Sequence, residues 1–169
     1  MANVANYFGQ ALHIPEDRLY DPEEGFWVRE EADGRRAVGL SQAGVIALGK
    51  FRETAALAAE GEEVTAGQTV LFALTGKVKY FAAPLGGRIT YAPDLDNLAE
   101  RVAADPYDQP LFYLAGEAPP AGRLLGAAEY AARLAASEGG RSTRGVGGPS
   151  SATCKAVYYG IGQQTLGGE

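Results

Sequence analysis

Strand-like runs of apolar residues occur first near the start of the chain. Residues 25–31 and 36–40 are typical of two strands, and Asp33-Gly34 between them is a strong hairpin turn signal. Ser41 follows as a favourable helix N-cap, and Gly49 is a typical C-terminal stop for a helix. The pattern therefore predicts a β-hairpin followed by a short helix.

Short strands separated by glycine-rich corners continue through the middle of the chain. Residues 51–57 alternate as a strand does, until Glu60-Gly61-Glu62 breaks the pattern. Residues 64–91 then indicate three strands, with one of the turns at Gly76-Lys77, and Leu111-Phe112-Tyr113-Leu114 indicates a closing strand. Repeated short strands of this kind predict a barrel or a sandwich.

Helical periodicity is strongest at residues 124–136, where small and apolar residues recur at three- and four-residue steps. Residues 98–104 predict a shorter helix. Apolar residues between positions 2 and 16 are loosely helical in spacing and end at Pro15. They predict a short N-terminal arm whose secondary structure the pattern leaves open.

Glycine-rich sequence marks the C-terminal part of the chain. From Glu138 onward, Gly139-Gly140 and Gly147-Gly148 predict a flexible connector, and residues 152–161 have strand character. Cys154 lies in that last stretch, and a neutral cysteine in a strand is usually unreactive.

Composition narrows the classes of function. The 169 residues carry a formal net charge of −6, which disfavours nucleic acid as a partner. No run of apolar residues is long enough to cross a membrane, and the first residues lack the pattern of a signal peptide. With a single cysteine as well, the sequence predicts a soluble cytoplasmic protein.

Few residues are suited to catalysis or metal binding. One histidine and one cysteine cannot supply a closed zinc site of such ligands. His13 lies in an apolar stretch and is expected to be structural or exposed rather than catalytic. The pairs Glu30-Glu31 and Glu62-Glu63 alternate sides of a strand or lie in a turn, so we interpret them as solvated charge.

Several short motifs occur together in a recognisable order. They are Phe26-Trp27-Val28-Arg29, Val38-Gly39-Leu40-Ser41, Val64-Thr65-Ala66-Gly67, Pro84-Leu85-Gly86-Gly87, Asp105-Pro106-Tyr107 and Ala128-Glu129-Tyr130-Ala131. From about residue 19 to 137, this order resembles the H-protein family of the glycine cleavage system, and Lys77, ten residues after Gly67, lies where that family places its modified lysine.

The resemblance implies a fold and a function. The fold is mainly β (α+β), a barrel-sandwich hybrid of two small antiparallel sheets with a C-terminal helix. It would occupy residues 19–137, after an arm (1–18) and before a glycine-rich linker and tail (138–169). The implied function is a carrier rather than an enzyme, with lipoate linked to Lys77 at a hairpin tip. Its partners would be enzymes of a multienzyme complex, with a lipoate ligase among them.

Departures from the family pattern leave two alternatives. Leu74 occupies the position of a glutamate that H-proteins usually carry three residues before the lysine, and the second hairpin arm is one residue short, so Lys79 is a less favoured attachment candidate. The first alternative is a lipoyl carrier for a redox or one-carbon complex. The second is a non-lipoylated barrel that serves as a binding or structural subunit.

Overall fold

The computed structural model describes residues 2–116, 118–120 and 122–142, and most of its secondary structure is β. The strands are β1 (Ala2–Tyr7), β2 (Gln10–Ile14), β3 (Leu19–Asp21), β4 (Phe26–Glu30), β5 (Arg36–Leu40), β6 (Glu53–Ala56), β7 (Glu63–Val64), β8 (Thr69–Leu74), β9 (Val78–Ala82), β10 (Gly87–Tyr91) and β11 (Phe112–Ala115). The helices are α1 (Gln42–Leu48), α2 (Leu98–Ala104), α3 (Ala127–Ala136) and α4 (Glu138–Arg141).

Two antiparallel sheets form the body of the molecule. One has six strands in the order β3-β4-β5-β11-β10-β7, and the other has three in the order β6-β8-β9. Apolar side chains from both sheets share one core, in which the Phe26 ring lies 5.4 Å from the Phe81 ring, centroid to centroid. This arrangement confirms the mainly β sandwich expected from the sequence.

The predicted hairpin and short helix are both present. Strands β4 and β5 pair across the turn at Asp33-Gly34, and Gly34 has the positive φ of +88° that such a turn requires. The Ser41 side chain accepts a hydrogen bond from the Gly44 amide at the start of α1, and Gly49 ends this helix. Together these elements bring α1 to one end of the six-stranded sheet.

The N-terminal arm is a separate two-stranded hairpin, formed by β1 and β2. Its buried residues belong to a second apolar cluster, which also contains residues of α3 and of the six-stranded sheet. Within this cluster the Tyr20 and Tyr130 rings stack with centroids 4.7 Å apart. The arm is therefore packed onto the body through the C-terminal helices.

The C-terminal helices differ in detail from the sequence expectation. Leu124 and Leu125 lie before α3 rather than in it, because Leu125 and Tyr20 exchange two backbone hydrogen bonds of 2.8 Å at the sheet edge. Residues 138–141, expected to begin a flexible connector, form the one-turn helix α4 with Ser137 as its N-cap. The strand predicted at 152–161, with Cys154, lies outside the described residues.

None of the helices in the described part of the chain is long and apolar enough to cross a membrane.

Candidate functional site

The predicted carrier lysine lies in the loop that joins β8 to β9. Leu74 pairs with Val78 at the end of the ladder, which leaves a three-residue loop of Thr75, Gly76 and Lys77. Gly76 has a φ of +98°, a conformation that favours glycine, and the Thr75 amide donates a 2.8 Å hydrogen bond to the Lys77 carbonyl oxygen. Lys77 is partly exposed in this tight loop.

The register of the three-stranded sheet separates its side chains into two faces. Residues directly opposite one another in antiparallel strands point to the same face. Two rows point outward and two point toward the core. The outer rows are Glu53–Leu74–Val78 and Ala55–Phe72–Tyr80, and the inner rows are Thr54–Ala73–Lys79 and Ala56–Leu71–Phe81. Lys79 therefore shares a face with the buried Ala73, while Lys77 belongs to the loop beyond both faces.

The Lys79 side chain contacts a carboxylate and an aromatic ring of the two-sheet body. Its ammonium lies 3.9 Å from a carboxylate oxygen of Glu24 and 5.3 Å from the centroid of the Phe81 ring. The same Glu24 oxygen accepts a 3.4 Å hydrogen bond from the Ala82 amide. Glu24 thus connects the turn before β4 to strand β9 and positions the amine of Lys79 against the sheet.

The local electrostatics follow from burial. Burial raises the pKa of the Glu24 carboxyl above its ordinary value, and the nearby Lys79 ammonium opposes this rise. A backbone hydrogen bond holds the turn that carries Glu24 against the start of α1, since the Gly25 carbonyl accepts a 2.8 Å hydrogen bond from the Ser41 amide. A Cβ atom on Gly44 would lie only 2.5 Å from that carbonyl oxygen, so this close approach requires glycine in α1.

A cavity of about 540 Å³ opens beside Lys79 and Glu24. Its walls come from the turn before β4, from α1 and from the C-terminal helices, and they include Ala43, Phe81 and Tyr130. The cavity therefore joins the inner side of the lysine hairpin to the surface on which the C-terminal helices pack.

The sheet beneath the hairpin is anchored by polar contacts from two other parts of the fold. The Thr54 hydroxyl of β6 donates a 3.0 Å hydrogen bond to the Leu95 carbonyl oxygen. The Tyr91 hydroxyl lies 2.6 Å from the Val70 carbonyl oxygen and 2.9 Å from that of Ala58. These contacts fix β6 and β8, so the loop with Lys77 stands on an ordered support.

Other candidate residues lie apart from this hairpin. His13 is exposed on β2, and its Nδ1 lies 2.7 Å from the Asn3 side-chain oxygen on β1. The members of each carboxylate pair have separate partners. Glu31 lies 2.9 Å from Arg29 and Glu30 lies 3.9 Å from Arg36, while Glu63 lies 3.5 Å from Arg88 and Glu62 accepts a 2.8 Å hydrogen bond from the Ala59 amide. Within residues 2–116, 118–120 and 122–142, no group of three or more His, Cys, Asp or Glu side chains could hold a metal ion.

Sequence reasoning missed the role of Glu24 beside Lys79. This contact joins residues more than fifty positions apart, and only the register and the sheet packing bring them together. The alternation of β9 held a local signal, since Lys79 and Phe81 are two residues apart and so share the face opposite Tyr80.

Comparison with known proteins adds independent evidence. No protein-family model matches the chain. A glycine cleavage system H protein of Paraburkholderia phymatum is 36% identical over 126 residues, which cover 70% of this chain and 95% of the relative. The crystal structure of a glycine cleavage system H protein from Mycobacterium marinum matches with a TM-score of 0.60 and 32% identity, over 71% of this chain and 98% of that one. The chain therefore belongs to the glycine cleavage system H protein family, and it is a carrier or accessory subunit rather than a catalyst.

Proposed function

We propose that the chain carries lipoate in amide linkage on Lys77 and shuttles it between partner enzymes of a glycine-cleavage type of complex. The observation that supports this most is the position of Lys77 in the tight loop of an anchored hairpin, in a chain of this family. Lys79 is the less favoured attachment site, because it lies in an inner row and its amine faces Glu24.

Attachment joins the Lys77 Nζ to the carboxyl carbon of lipoate. The neutral amine attacks an activated acyl donor such as an acyl-adenylate; the nitrogen–carbon bond forms as the bond to AMP breaks, and the nitrogen loses a proton. A lipoate ligase supplies the donor. Lysine suits this role because it has a flexible four-carbon stem, and the amide product is uncharged.

Carriage then depends on a fixed base and a mobile arm. The anchored strands hold the Lys77 backbone in place, while the lysine stem and the acyl chain provide the reach between active sites. When bound, lipoate would supply a dithiolane, a redox-active disulfide on which the partner enzymes would act.

The alternative function is a non-lipoylated barrel that serves as a binding or structural subunit. Leu74 favours this alternative, since the family resemblance leads us to expect a glutamate at that position. The partial burial of Lys77 points in the same direction.

Counting thiols on the full chain from its native host tests the two functions. The chain contains one cysteine, so the reduced, unmodified protein should take up one alkyl group. A lipoylated protein should take up two more, and Cys154→Ser, as the control, should lower either count by one. Uptake of a single group, in a host that lipoylates its other carriers, would support the structural subunit and contradict the carrier.

A further inference from the structure

The outward face of the three-stranded sheet is apolar beside the loop with Lys77. We define the outer hairpin face as the two outer rows of this sheet, which are Glu53, Ala55, Phe72, Leu74, Val78 and Tyr80. Glu53 is the one charged residue among these six, and it lies on β6, across β8 from strand β9. The four residues of this face on β8 and β9, the strands that flank the loop, are therefore uncharged and mainly apolar.

Every residue of the outer hairpin face is at least partly exposed. Tyr80 is 49% exposed, although its side chain is large and its ring centroid lies 6.2 Å from that of Phe72. Leu74 and Val78 form the last pair before the loop, and both are partly exposed. Contiguous apolar surface of this kind is typical of an interaction site, whereas single exposed apolar residues are common everywhere.

The reach of lysine makes this face part of any complex that acts on its amine. Four carbons separate the Lys77 amine from its backbone, so an enzyme that encloses this amine must approach the hairpin within one side-chain length. The pair Leu74 and Val78 is the first that such an enzyme meets, and Phe72 and Tyr80 form the next row. The outer hairpin face is therefore continuous with the site of modification.

We propose that the outer hairpin face is the docking surface for the enzyme that acylates Lys77, and that this enzyme binds it through a complementary apolar surface. The proposal rests on the proposed function, since it requires Lys77 to be the attachment site. Leu74, Val78, Phe72 and Tyr80 provide the contact, and they act as positioning residues that bring the amine to the activated acyl group.

The acylation rate of the unmodified full chain tests this proposal. The chain is incubated with a cleared extract of the native host supplied with lipoate, ATP and Mg²⁺. Intact mass follows the acylated fraction, and fragment mass spectrometry locates the acyl group. Tyr80→Glu places a charge on the outer hairpin face, and we expect acylation to slow by about tenfold or more. Leu19→Glu is the matched control, because Leu19 is 43% exposed on β3, in the other sheet.

Each outcome is informative. Tyr80→Phe, which keeps the apolar surface, should be acylated at the rate of the unsubstituted chain, and so should Leu19→Glu. Equal rates for Tyr80→Glu and the unsubstituted chain, with Lys77 as the acylated residue, would overturn the docking surface and leave the proposed function intact. Equal slowing by Leu19→Glu would also overturn it. If the unsubstituted chain is not acylated at Lys77, the proposed function fails and the docking surface fails with it.

Discussion

Two lysines separated by one residue have different surroundings in this protein. Lys77 lies in the loop of its hairpin, whereas Lys79 lies in an inner row, with its ammonium 3.9 Å from the Glu24 carboxylate. The period of two along β9 would place residues 77 and 79 on one face if the strand continued, but the ladder ends at Val78. The end of the ladder thus makes the two amines chemically distinct.

Replacing Glu24 with glutamine tests the electrostatics beside Lys79. Because burial raises the pKa of Glu24 in the folded state, the folded protein binds this proton more tightly than the unfolded chain does. The carboxyl therefore favours folding below its ordinary pKa, and this contribution is lost as the pH rises through the folded-state pKa. We expect Glu24→Gln to be more stable than the unsubstituted chain at about pH 7, by on the order of 1 kcal/mol, and equally stable near about pH 4.

Urea unfolding at the two pH values measures this difference. Glu23→Gln is the control, because Glu23 is an exposed neighbour in the same turn. A Glu24→Gln protein that is less stable at neutral pH would mean that the attraction between Glu24 and Lys79 outweighs the cost of burying the carboxylate.

At the scale of elements, the start of α1 is tied to α3. The Ser41 hydroxyl caps the Gly44 amide at 3.0 Å and lies 2.8 Å from the Tyr130 hydroxyl, and Ser41 is fully buried. One small side chain thus ends a strand, begins a helix and contacts the C-terminal helix. The orientation of α1 beside the Glu24 turn depends on it.

Substitutions at Ser41 and Tyr130 separate these contributions. Ser41→Ala removes the cap and leaves the Tyr130 hydroxyl without this partner, so we expect a loss of about 2 kcal/mol in unfolding free energy. Tyr130→Phe removes only the hydroxyl contact and should lose about 1 kcal/mol. A double-mutant cycle in urea should show a loss smaller than the sum of the two; strict additivity would argue against the Ser41–Tyr130 hydrogen bond.

The elements that could be predicted are those with local signals. The hairpin at Asp33-Gly34 and the helix between Ser41 and Gly49 follow from turn and cap residues, and both are present. The N-terminal hairpin gave no such signal, because a register shift in β1 places two of its buried residues, Val4 and Tyr7, three positions apart, as in a helix. Its turn also places Phe8, a non-glycine residue, at a positive φ of 50°.

Packing between residues far apart in the sequence explains why the structure differs from the sequence prediction at the C-terminal helices. The sequence predicts a flexible connector at Gly139. In the structure a Cβ atom there would lie 2.4 Å from the Tyr7 ring, so this glycine permits close packing of α4 on β1. The amide of Asn6 reinforces the contact by donating hydrogen bonds to the carbonyl oxygens of Gly140 at 3.0 Å and Ser142 at 2.7 Å. A pattern of local residues carries no information about such a partner.

At the scale of the whole molecule, this packing joins the two ends of the described chain. Gly139→Ala should therefore lower the unfolding free energy by about 1–3 kcal/mol, because the added methyl group meets an aromatic ring in a filled cluster. Gly126→Ala is the comparison, since a Cβ atom there meets nothing within 4 Å, and it should cost less than about 1 kcal/mol. Similar losses for the two variants, measured by urea unfolding, would contradict close packing between α4 and β1.

The lysine hairpin was more predictable than its surroundings. The family resemblance pointed to Lys77, and the hairpin places this residue in a loop on an anchored sheet. The contact of Lys79 with Glu24 and the apolar outer hairpin face both depend on register, which is set by pairing across strands. No local sequence pattern predicts either feature.

Locating the acyl group is the most direct test of the carrier function. Fragment mass spectrometry can distinguish Lys77 from Lys79 in the full chain isolated from its native host, and it should be applied to the unsubstituted protein, Lys77→Arg and Lys79→Arg. We predict a lipoyl group on Lys77 that persists in Lys79→Arg and is lost in Lys77→Arg. A lipoyl group that persists in Lys77→Arg, or an unmodified Lys77 in a host that lipoylates other proteins, would contradict this account.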